Sequence, residues 1–465
     1  MDGQTTAPSW GADLFGAVEL GDARRTKRLV RIADRLRRHP GGTLPDKLSR
    51  PADLKAFYDL MNTDTVTHAV LITAAAAATP RAMADATGTV LLLADATELD
   101  YSGLASIPTR GRLGNGKQRG DMAHNVLAVV ADTREVLGLA YQHLVERAEP
   151  AEGETRAARR DRADRESRWW KEAREHPPVA PAGKRSVEVG DRGADVLEFL
   201  DYLERAGKQY LVRARHNRRI GLENGTSAKP FDYARSLPEG GRRTVEVPPA
   251  AGREGRTATV AVSWAKVSLK RPAQPRGEVK SALSTTWVVW VREVDPPAGV
   301  EPLEWVLLTD VPVGDAADAF ERVDGYAVRW VIEESHEGMK TGCGVEPLRF
   351  TTEAALHPTI ALLSVTAVTR LRLRDLGRRS DAATTPAVTV VDPTLVAALC
   401  WWRWESSRTP ESVTVAEFVL ALGRLGGHQN RKHDGPPGWL TLWRGWMKLQ
   451  LKAEVTSPPP AKRCG

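Results

Sequence analysis

Cysteine is scarce in this 465-residue chain: Cys343, Cys400 and Cys464 are far apart and odd in number, and none falls in a C-x-x-C or Cys/His ligand spacing. A disulfide framework and a zinc site of the usual spacings are both excluded, and a reducing compartment is implied. The start, MDGQTTAPSW, lacks a basic stretch followed by an apolar run. Apolar stretches such as HAVLITAAAAA (68–78) are too short to span a bilayer. The expectation is a cytoplasmic protein with no membrane partner. No internal repeat is apparent.

What the chain does have is length and basic charge. It is long enough for two or three domains and a large core without covalent staples. Lys plus Arg number 66 against 59 Asp plus Glu, a net charge of +7, which weakly favours polyanionic partners. The clearest basic feature follows ELGD (19–22), where Asp22 can cap a helix through ARRTKRLVRIADRLRRHP that ends at Pro40. Leu29, Ile32, Ala33 and Leu36 share one face. Arg24, Lys27, Arg28, Arg31, Arg35 and Arg38 form a stripe on the other, offset only by Asp34. A solvated amphipathic helix is the plain alternative, but a helix laid on phosphates fits the imbalance better.

Residues 41–80 read as further helices. TGTVLLLAD (87–95) reads as a buried strand closed by Asp95, and NVLAVVADTREVLGLAYQHLVE (125–146) as two strands joined by a turn at DTRE. A charged helical segment from 151 to about 176 follows, broken by Pro177 and Pro178. The stretch 185–219 gives a strand ending near Asp191, a helix over about 194–206 and a strand over 209–215. Three strands, helix, strand, helix, strand is the element order of a ribonuclease-H-like domain. Alternating β-rich sequence over about 230–310 reads as an inserted β-subdomain. Helix resumes near 316, with more at about 355–376, 412–424 and 439–452; 377–393 has linker composition, and TSPPPAKRCG reads as a disordered tail.

The segment YAVRWVIEESHEGMKTG (326–342) spaces Tyr326, Arg329, Glu333, His336, Glu337 and Lys340 along one face of a helix, with Val328, Val331, Ile332 and Met339 opposite. Alone, this is an ordinary salt-bridged surface helix. However, Glu333 and Glu337 are like charges one turn apart, which disfavours the helix unless a cation is near. In a ribonuclease-H-like sheet the ends of the strands carrying Asp95 and Asp191 are adjacent, and a carboxylate from a later helix completes a three-acid cage. Such hard oxygen ligands suit two divalent metals for phosphodiester hydrolysis or transesterification. Either aspartate alone is equally well read as a turn or helix cap.

DATELDY (95–101), GDRGADV (190–196) and the Y-x2-R-x3-E-x6-K pattern at Tyr326, Arg329, Glu333 and Lys340 together resemble the insertion sequence 4 family of DDE transposases. The resemblance spans nearly the whole chain. LGDARRTKRLV looks like the family's end-binding helix, EWVLLT (304–309) like a segment whose tryptophan receives a flipped base, and 424–450 like its dimerisation region. It implies an N-terminal helical DNA-binding domain (1–75), a catalytic α/β domain (76–376) and a C-terminal helical dimerisation domain (377–465). Asp95, Asp191 and Glu333 would be the catalytic metal ligands for two Mg²⁺, or Mn²⁺. Arg24, Arg28, Arg192, Arg213, Trp305, Tyr326, Arg329 and Lys340 would contact DNA, with Trp305 stacking on a base as a hairpin forms. The implied partners are double-stranded DNA, both transposon ends and target, and a second copy of the chain in a bacterial cytoplasm, at the nucleoid when on DNA. Two positions depart from the pattern: Glu337 stands where a family member has a second lysine, and Tyr58 where it has an end-contacting arginine. A nuclease that cuts without joining, and an inactive DNA-binding relative, are the alternatives.

Overall fold

The computed structural model describes residues 9–107, 111–114, 116–147, 151–155, 158, 162, 165–175, 180–247, 255–270, 279, 283–431 and 435–456. Much of the charged segment after 155, the prolines at 177–178 and the tail from 457 lie outside the described residues.

The N-terminal part is helical: α1 (Trp10–Phe15), α2 (Ala23–Arg38), α3 (Leu44–Lys47), α4 (Pro51–Met61), α5 (His68–Ala76) and α6 (Thr79–Asp85). Asp22 caps α2 by accepting from the Arg24 amide, and Leu29, Ile32, Ala33 and Leu36 are buried, as the periodicity predicts.

The centre is one mixed sheet of eleven strands. β1 (Val90–Asp100), β2 (Gly120–Val130) and β3 (Val136–Val145) form an antiparallel meander. β4 (Ser186–Gly190) lies parallel to β1, and β5 (Gln209–Arg213) parallel to β4, giving the order β3-β2-β1-β4-β5. Helices α7 (Glu166–Glu175) and α8 (Leu197–Arg205) flank β4 in sequence. The β-rich stretch contributes β6 (Ile220–Leu222), β7 (Ser227–Ala228), helix α9 (Pro230–Ser236), β8 (Gly241–Val247), β9 (Arg256–Leu269), β10 (Leu283–Val294) and β11 (Glu304–Thr309). Expected as an inserted β-subdomain, it extends the same sheet, because β11 pairs antiparallel with the open edge of β5. The backbone groups of that edge are thereby satisfied.

Side chains on β1 alternate in the way a sheet covered on both faces requires. Leu91 and Leu93 enter the core formed with the N-terminal helices and α10 (Ala316–Ala327), α11 (Trp330–Glu337) and α12 (Glu353–Leu376). Val90, Leu92 and Ala94 enter the core formed with α7 and α8. The odd-numbered face is therefore the one that meets the 326–342 segment.

Helix α12 is the spine of the molecule. It touches α2, α4, α5 and β3, and also α14 (Val415–Leu425) and α15 (Trp439–Thr456). It is the one described helix long and apolar enough to cross a membrane, but 83% of its apolar window is buried inside the protein. Each fully buried side chain such as Leu356, Ile360 or Leu363 adds about 1.5–3 kcal/mol of hydrophobic stabilisation. Helix α13 (Pro393–Trp404) directly follows the segment of linker composition and was not anticipated. Its signals are Asp392, which accepts from the Thr394 amide, and Pro393 at the first helical position. A third core of C-terminal residues, including Leu399, Phe418, Leu422 and Trp446, holds α13 to α14 and α15.

Candidate active site

Asp95 does not close its strand. β1 runs on to Asp100, because its antiparallel partner β2 continues to Gly120 while the parallel partner β4 stops at Gly190, opposite Ala94. Asp95 is thus the first β1 residue beyond the parallel ladder, and Asp191 the first residue after β4. The register alone puts the two acids side by side, and the odd-numbered position turns Asp95 towards α11.

Asp191 Oδ1 accepts from the Gly193 amide at 2.7 Å and caps a short 3₁₀ turn, so the capping role considered for it is real. Its second oxygen has no hydrogen bond among the described residues. The Asp95 side chain is 14% exposed: Oδ1 accepts from the Ala96 amide, and Oδ2 lies 2.6 Å from Nη1 of Arg329. The same Nη1 lies 3.1 Å from Oε1 of Glu333. One guanidinium nitrogen therefore serves two carboxylates, with a third beside them. Burial, and then the negative charge of Asp191, push the Asp95 carboxyl up to about 7 despite Arg329. Glu333 is held well below the usual range, first by the neighbouring His336 imidazole and then by Arg329.

The segment 326–342 is not one straight helix. α10 ends at Ala327, Val328 and Arg329 keep helical backbone angles but the hydrogen bonds there tighten to i→i+3, and α11 starts at Trp330, which places Glu333 in its first turn. A π-helical turn, Gly338–Gly342, follows and carries Lys340 to within 3.7 Å of Glu346. This turn lies against α15: a Cβ on Gly342 would come 2.9 Å from the Trp439 ring, so glycine is required there by close approach. Val328, Val331, Ile332 and Met339 are buried, as expected, but so are Tyr326 and His336, which helical spacing had placed on a polar face. Glu337 is exposed and has no ion pair among the described residues.

The other candidate residues surround the acids unevenly. The Trp305 ring packs edge-on to Tyr326 at 5.1 Å, and Arg329 lies 5.9 Å from the Tyr326 ring centre. Arg213 lies close to Tyr326 and donates to the Glu304 carbonyl at 3.1 Å. Arg192 is exposed just after Asp191. Arg24 and Arg28 lie far along the chain on α2, where the Arg24 side chain is 91% exposed. The basic stripe is shorter than its spacing suggests, because Arg35 is turned inward to Asp53 of α4 at 2.5 Å. Tyr58 packs edge-on against Phe57 and Phe350, so it is a packing residue of α4.

Among the described residues no set of three or more His, Cys, Asp or Glu side chains is gathered closely enough to hold a metal ion. The Arg329 guanidinium takes the space between Asp95 and Glu333. The donor set nevertheless suits a hard cation: three carboxylates converge where one arginine leaves negative charge in excess, and that excess adds to burial in raising Asp95. Residues 7–66 match the family model for transposase DNA-binding, a span from just before α1 to just after α4. The match supports a transposase that binds DNA, with the exposed basic face of α2 inside it.

Proposed function

We propose that this chain is a cut-and-paste DNA transposase of the DDE class, with Asp95, Asp191 and Glu333 as its catalytic acids. The single observation that carries the reading is the side-by-side register of Asp95 and Asp191, with Glu333 joined to Asp95 through Arg329. The strand order β3-β2-β1-β4-β5 supports a ribonuclease-H-like core. The spacing of Tyr326, Arg329, Glu333 and Lys340 favours the insertion sequence 4 family.

In this reading α2 lays Arg24 and Arg28 on the phosphates of a transposon end. The three acids hold two Mg²⁺, or Mn²⁺, which when bound supply Lewis-acid activation of the attacking hydroxyl and stabilise the leaving oxygen. Tyr326 and Lys340, with Arg192 and Arg213, grip the backbone near the scissile bond, and Trp305 takes an extruded base as the end closes through a hairpin. Arg329 balances Asp95 and Glu333 in the absence of DNA, and turns to a DNA phosphate when the acids are engaged. The C-terminal helices pair two copies so that both ends are cut together and their 3′ hydroxyls attack target DNA.

The test is a strand-transfer assay with paired end fragments and a supercoiled target in Mg²⁺. Joined product that disappears in Asp95→Asn and in Asp191→Asn is expected. Cleavage without joining would reduce the activity to that of a nuclease, and unchanged joining in both variants would remove the acids from the chemistry.

A further inference from the structure

Asp95, Asn125 and Gln142 are directly opposite one another on β1, β2 and β3, so they form one polar row across the three strands. Asn125 and Gln142 are each 3% exposed, where an unsatisfied amide costs about 1–3 kcal/mol. Their orientations follow from one atom. The Ala123 carbonyl can only accept, so the Asn125 atom 3.0 Å from it is the amide nitrogen. The second hydrogen of that nitrogen points at Nε2 of His336, 3.1 Å away, which must then be the bare ring nitrogen. Asn125 Oδ1 in turn accepts from Gln142 Nε2 at 2.6 Å, which leaves Gln142 Oε1 to accept from His68 Nε2 at 3.1 Å.

Every donor in this chain points the same way, from His68 on α5 through Gln142 and Asn125 to His336. With Nε2 occupied as an acceptor, the His336 proton sits on Nδ1, the nitrogen 3.7 Å from Glu333 Oε2. That separation is longer than a hydrogen bond and close enough for an oriented N–H dipole to act on the carboxylate.

We propose that His336 is a positioning residue for Glu333: the Asn125–Gln142–His68 relay locks it as the Nδ1–H tautomer, and that N–H fixes the rotamer of Glu333 so that its carboxylate meets Asp95 and Asp191. The inference rests on the three-acid reading. It differs from it in assigning work to residues that touch neither DNA nor the reacting atoms. Side chains that orient a metal-binding group in this way commonly control affinity by about ten- to a hundredfold.

Two measurements on the full chain test it. The first uses ¹⁵N-histidine NMR with no metal added, the His336 signal being assigned by its loss in His336→Asn. An Nδ1-protonated ring is expected, and an Nε2-protonated ring or an even mixture overturns the relay. The second is Mn²⁺ binding followed by electron paramagnetic resonance. Asparagine places an amide where Nδ1 was, and glutamine where Nε2 was. His336→Asn should therefore bind within about threefold of the parent, and His336→Gln about tenfold more weakly. Equal loss in the two variants, or none in His336→Gln, refutes the positioning role. If Asp95→Asn leaves Mn²⁺ binding unchanged, the three-acid reading fails, whereas the tautomer is decided without it.

Discussion

The sheet carries two buried arginine–carboxylate arrangements that obey different logic. On β4, Glu188 receives both its bonds from Arg174 of α7, at 3.0 and 2.9 Å, with the two side chains 4% and 5% exposed. One charge meets one charge, and both are withdrawn from water. Just past the end of the same strand, where Asp191 follows it, Arg329 is divided between Asp95 and Glu333, and Asp191 adds a third acid. The first arrangement is balanced, one positive charge to one negative. The second is short of positive charge, a condition a protein tolerates where something else is to arrive.

That contrast can be broken at either end. Replacing Asp95 or Asp191 by Asn should lower cleavage of end DNA by about 10³-fold or more, while the denaturation midpoint does not fall. Replacing Arg174 by Met should do the reverse. It strands Glu188 as an unpaired buried charge and should cost about 3–5 kcal/mol in urea unfolding, with turnover per folded molecule little changed.

The burial and crowding of Asp95 should also appear in the pH dependence of stability without metal. The Asp95 carboxyl is raised from 3.8 to about 7 in the folded chain, so its contribution is complete below about pH 4 and lost as pH rises through 7. Asp95→Asn lacks this loss, and should gain on the parent between pH 5 and pH 8 by at most about 3 kcal/mol in urea midpoints converted to free energy. A smaller effect separates α2 from both arrangements. Arg24→Ala and Arg28→Ala should each weaken binding to end DNA and lower the slope of log affinity against log salt by about 0.9, whereas Arg35→Ala, which loses its bond to Asp53, should leave the slope unchanged.

The strands were legible because apolar runs and alternation are properties of short sequence windows, and the adjacency of Asp95 and Asp191 followed from the element order, which suggested a sheet in which β1 and β4 are neighbours. Asp22 as a cap and the buried face of α2 were legible for the same reason. Where β1 stops was not, since that depends on how far β2 accompanies it. Helical spacing put His336 beside Glu333, where it lies, but not in the interior, because a periodicity argument cannot show which face a neighbouring strand covers, and Asn125 of β2 covers this one. The relay did leave a trace: Asn125 is a polar residue at an inward position of AHNVLAVV, a strand buried along its whole length. The continuation of the sheet into β11 left none, because an edge finds its partner through tertiary packing.

Helix α12 draws a boundary of its own. Leu29, Phe57 and Leu60 lie within the span matched to the transposase DNA-binding family, yet they belong to one core with Leu356, Ile360 and Leu363. A unit that can be recognised by descent is therefore not a unit that can be cut out. Separated from α12, residues 7–66 would present their apolar faces to water. If such segments are exchanged between chains, each new host must already own a helix of matching shape to receive them.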